Sequence, residues 1–134
     1  MESVLACALL RDLDFCSDKD YCRALDASLL AEEDPRLLVR LADLDKCRDS
    51  RDQTARVASW QLSQNVAELN RDAFAQALFG GLDRARRTDR FDAEGFVIRS
   101  YALWIGLPRE LQEQPPFVSL KEDFLKGPDN RTKK

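Results

Sequence analysis

Phe91–Pro108 reads FDAEGFVIRSYALWIGLP, and both ends of a helix are written in it. Asp92 carries a short carboxylate able to accept a hydrogen bond from a free N–H of a helical first turn, so it is the expected N-cap. Phe91 before the cap and Phe96 five residues later have the spacing of a hydrophobic staple. Gly106 marks the end, Leu107 is placed to fold back on the last turn, and Pro108 blocks extension. Phe96, Val97, Tyr101, Trp104 and Ile105 are the apolar side chains between those limits.

The same signals recur upstream. No proline falls between positions 36 and 107, and glycine is sparse, so long helices are permitted. A first helix is expected from about Ser3 to Phe15, apolar around most of its circumference and therefore central. Ser17 then caps a helix from Asp18 to about Ala31, with Asp20 three residues on as a capping-box variant and Tyr21, Leu25 and Leu29 as its stripe. Asp34 caps the next, Pro35 takes the first helical position, and Leu37, Leu41 and Leu44 form the stripe, flanked by Leu38. RDSRDQTAR is a polar break. The spacing of Ala58, Leu62, Val66 and Leu69 predicts a fourth helix from about Gln53 to Leu69, closed by a left-handed Asn70. A fifth is expected from Asp72 to Arg87, with Phe74, Leu78, Leu82 and Ala85 on one face. Gly80–Gly81 inside it weakens that helix by about 1 kcal/mol per glycine, which implies a kink or a closely crossing neighbour.

Beyond Pro108 the chain loosens. PRELQEQ is a short helix, PP a spacer, and Phe117, Leu120 and Phe124 give a short amphipathic segment. The fold class is all-α: one domain over 1–126, about six helices in a compact array, with 107–126 loosely attached and 127–134 a disordered tail.

Composition narrows the function. The 134 residues are 44% hydrophobic and 34% charged, a globular balance. Net charge is −3, but residues 1–34 carry −6 and the remainder +3. The amino terminus has no basic stretch ahead of its apolar run, which Arg11 interrupts, and no apolar segment reaches the roughly 18 residues of a membrane span. A cytoplasmic location is expected.

Histidine is absent, which removes the commonest general base, the commonest metal ligand and every Ser-His or Cys-His arrangement. Cys7, Cys16, Cys22 and Cys47 fit no structural-zinc spacing; reduced, mostly buried thiols are expected, with two disulfides as the alternative. DRFDAEGFV resembles a calcium loop only in part. With Gly95 on the invariant glycine, Arg90 and Tyr101 stand where two essential oxygen ligands belong, and the match is rejected. Phosphate loops, dinucleotide fingerprints and nucleophile elbows are absent from the sequence. No catalytic residue, cofactor or metal is assigned.

Arg84, Arg86, Arg87 and Arg90 are the densest local charge. Asp83, Asp89 and Asp92 reduce the net of residues 83–92 to +1, and cations at a helix C-terminus meet a favourable dipole. At a pI near 5.1, nucleic-acid binding through these arginines is the alternative and not the first expectation. AELNRDAFAQAL, drawn as a helix-turn-helix, lacks a turn glycine and base-reading polar residues.

What remains is a helical module that acts by surface complementarity, as an inhibitor or immunity-type protein, adaptor or chaperone, on a larger and basic protein partner. Its candidate contacts are Asp12, Asp14, Asp18 and Asp20, which also bear on divalent-cation binding, with Trp60, Trp104, Phe117 and Phe124. A homodimer and a carboxylate-dependent enzyme are further alternatives.

Overall fold

The computed structural model describes residues 1–88 and 90–126. The expected tail, 127–134, lies outside the described residues. In chain order the helices are α1 (Glu2–Asp12), α2 (Asp18–Ala31), α3 (Pro35–Lys46), α4 (Arg51–Gln64), a 3₁₀ turn (Val66–Glu68), α5 (Arg71–Arg87), α6 (Ala93–Ile105), α7 (Arg109–Gln112) and α8 (Ser119–Lys126). No strand occurs among the described residues. The chain is all-α.

Helix α1 is the axle. It packs on α5, α4 and α2, and buries Val4, Leu5, Ala8, Leu9 and Leu10. That all-round burial follows from an apolar circumference. One hydrophobic cluster continues from it through Tyr21 and Leu25, Leu41 and Leu44, Ala58 and Leu62, Phe74 and Leu78, and Leu103.

The close crossing of α1 and α5 explains Gly81. A Cβ there would lie 2.4 Å from Leu10 Cδ1, so the absence of a side chain is what admits α1. Of the two alternatives raised by Gly80–Gly81, the crossing neighbour is the one found, and α5 runs unbroken for 17 residues.

Several boundaries differ from expectation. Helix α1 stops at Asp12, before Phe15. Asp14 adopts a left-handed conformation (φ 64°), while Phe15 N–H reaches Leu10 O and Asp14 N–H reaches Arg11 O. This is the Schellman reversal, with aspartate where glycine is usual. It turns Phe15 into the core, against Phe91 and Phe96. Helix α4 begins earlier, because Ser50 Oγ accepts from Gln53 N–H, and ends at Gln64. Asn70 is not a left-handed terminator. Its φ is −78°, and its side chain accepts from Ala73 N–H as the N-cap of α5.

The segment 107–126 is part of the core and not loosely attached. Leu107, Leu111, Phe117 and Leu120 are buried, and Phe117 packs beside Phe74 and Phe79. Trp104 Nε1–H donates to Gln112 O at 2.7 Å, and Gln112 Nε2 donates back to Trp104 O.

Candidate interaction surface

The four expected acidic contacts do not form one free acidic face. Asp18 accepts from Arg11 Nε at 2.8 Å and from Arg51 Nε at 2.9 Å, and Arg51 also binds Asp14. Those hydrogen bonds, Arg51 first and Arg11 second, hold the Asp18 carboxyl down to about 2. Asp12 lies apart, in an open cleft of about 390 Å³ between α1, α4 and the end of α6 that also takes in Asp52, Arg56 and Ser59. Burial, with Asp52 beside it, raises Asp12 above the usual carboxylate range. Asp52 is held by Arg56 at 3.0 Å, and the Ser59 hydroxyl donates to Gly106 O. Among the described residues no group of three cysteine, aspartate or glutamate side chains is placed to hold a metal ion.

Arg51 was not singled out from the sequence; it sits in a polar run whose partners lie 33 and 37 residues away. Arg11 is a second surprise. It is 3% exposed, stacked over the Tyr21 ring at 4.8 Å, and held by Asp18. Asp18 pairs with this buried cation and the Tyr21 face attracts it, while its Nη1 is buried without a hydrogen-bond partner.

The aromatic candidates separate. Phe117 is 1% exposed, which takes it out of any surface. Trp104 is half-buried, hydrogen-bonded to Gln112 O, stacked on Tyr101 and covered by Lys121. Phe124 stacks on Tyr101 with centroids 4.2 Å apart and remains partly exposed. Trp60 alone of these stands out from the protein, 61% exposed on the outer side of α4.

Its neighbours in sequence fix that position. Ser59 donates to Gly106 O at 3.0 Å, tying α4 to the end of α6, and Gln61 Nε2 donates to Arg40 O at 3.0 Å, tying α4 to α3. Next to those two acceptors in the chain, Ile105 and Val39 are 57% and 63% exposed.

Arg86, Arg87 and Arg90 gather where α5 meets α6, whereas Arg84 lies back along Gly80 and Gly81 of its own helix. Arg87 pairs with Asp83, Arg86 lies over the Phe96 ring at 4.7 Å, and Arg90 and Arg99 lie over Phe91. Arg99 joins a group that the local sequence window did not include, because α6 delivers it from the far side of the loop. Asp92 serves as the α6 cap, accepting from Gly95 N–H.

Among the described residues no helix is long and apolar enough to cross a membrane. Comparison with known proteins gives no matching family model, no matching curated protein and no matching solved structure.

Proposed function

We propose that the protein is a protein-interaction module whose outer α4 face, centred on Trp60, seats on a folded protein partner. Exposed Trp60 carries the reading. A tryptophan brings one of the largest contact areas of any side chain, and such residues are enriched among interface hot spots. The bonds from Ser59 and Gln61 hold its helix in place before any partner arrives. A pre-fixed anchor loses little entropy on binding. Covering an apolar side chain of this kind contributes about 1.5–3 kcal/mol.

The test is affinity capture from native lysate after nuclease treatment, comparing the wild type with Trp60→Ser. The expected result is one protein captured in near-stoichiometric amount, with recovery reduced about tenfold or more by the substitution. Equal recovery by both proteins would sink the proposal.

The arginine group supports a second reading, nucleic-acid association. Arg86 and Arg90 are exposed while lying over the Phe96 and Phe91 rings, where they can meet phosphates. In that case capture is nuclease-sensitive, declines steeply with salt, and disappears when Arg84, Arg86 and Arg87 are replaced by alanine.

A further inference from the structure

The Schellman reversal at Asp14 folds the chain back so that Cys16 lies on Cys7, nine residues earlier. The two sulfur atoms are 2.9 Å apart, less than 1 Å beyond the roughly 2.0 Å of a covalent bond. Both residues are reduced and only partly buried, so a small oxidant can reach them. From this juxtaposition we infer that Cys7 and Cys16 form a disulfide-forming dithiol, a modification site that closes when the protein meets a two-electron oxidant of the peroxide class.

The surroundings favour Cys7 as the sulfur that reacts first. Its hydrogen bond to Cys16 pulls it below the ordinary thiol range against the opposing effect of burial, and the cations Arg84 and Arg11 act in the same direction. Cys16 moves the other way, raised first by the same hydrogen bond and then by burial. A thiolate is the nucleophile in such chemistry. The Cys7 thiolate attacks one peroxide oxygen, the O–O bond breaks, and the departing hydroxide takes a proton to become water. Cys7 is then a sulfenic acid. Cys16 attacks that sulfur, its proton goes to the leaving hydroxide, and a second water departs. Two thiols and one peroxide thus give one disulfide and two waters; the protein is oxidised by two electrons and the peroxide reduced.

Cys22 and Cys47 provide the internal comparison. Cys47 hydrogen-bonds backward to Asp43 O and Leu44 O within its own helix end. Among the described residues the one sulfur–sulfur contact is between residues 7 and 16.

The experiment is peroxide titration of the full chain under denaturant-free conditions, read by free-thiol assay, intact mass and tryptic mapping without reduction. The expected outcome is a fall from four free thiols to two and a mass loss of two hydrogens. Met1–Arg11 should then be joined to Asp12–Lys19. The Cys22→Ser/Cys47→Ser double variant should react like the wild type, and Cys7→Ser should lose its thiols at least about tenfold more slowly. Linkage through Cys22 or Cys47, a bond between two chains, or survival of all thiols in excess peroxide would overturn the assignment. The wild-type map and the double variant keep the test decisive even if Cys7→Ser fails to fold.

Discussion

Two adjacent glycines show how far one methyl group decides. Gly81 faces Leu10, itself buried, whereas a Cβ on Gly80 would meet only Arg84 Nη1 at an ordinary 3.8 Å. Gly81→Ala should therefore destabilise by about 1–3 kcal/mol, through displacement of a packed side chain. Gly80→Ala should stabilise by up to about 1 kcal/mol, because alanine loses less backbone entropy in a helix. Urea midpoints measure both, and equal shifts of one sign would refute the crossing described here. Asp12 makes the second residue-scale prediction. Its carboxyl is held above its unfolded value, so it is neutral in both states in acid and costs stability as pH rises through the folded value. Asp12→Asn should raise stability at about pH 7 and leave it unchanged at about pH 2. Asp18 has the opposite sign: its contribution is present above the ordinary carboxylate pKa and is lost as pH falls toward about 2, so Asp18→Asn should flatten the acid limb of the stability curve.

At the scale of the element, helix starts were legible wherever one side chain supplies the missing acceptor. Ser17, Asp34 and Asp92 each accept from a first-turn N–H, a local interaction that leaves a local signature. The end of α1 was not legible, because the left-handed residue is Asp14 and a tertiary partner, Arg51, fixes its carboxylate. Ser50 was hidden in a polar run that reads equally as loop. Asn70 was given the wrong role since asparagine suits both a left-handed terminator and an N-cap; only the break at Asn65 separates the two. The distinction is measurable. Asn70→Ala should cost about 1 kcal/mol, Asn70→Asp should be nearly silent, and Asn70→Gly should lose a few tenths. A left-handed terminator would instead be stabilised by glycine. Urea unfolding of the three variants decides between them.

For the whole molecule, the all-α class was legible because helical periodicity is intrinsic to the chain, while the surface was not, because exposure depends on which faces meet. Trp60 and Trp104 looked alike in sequence; one is presented outward by α4 and the other is taken up by Gln112, Tyr101 and Lys121. Phe117 is the sharpest case. Its setting after two prolines suggested a detachable segment, a hydrophobe offered to a partner or turned inward. Its ring sits instead between Phe74 and Phe79, with Leu111 and Leu120 buried alongside. If that packing holds the molecule together, removing the ring leaves a cavity in the shared core. Phe117→Ala should then lower the unfolding free energy by about 3–5 kcal/mol. Phe124→Ala, whose ring is stacked on Tyr101 but partly in water, should cost distinctly less. A loss that is large at 117 and small at 124 makes residues 107–126 a structural closure of the bundle. A loss under about 0.5 kcal/mol at 117 would return that segment to the surface, and with it the expectation that it meets a partner.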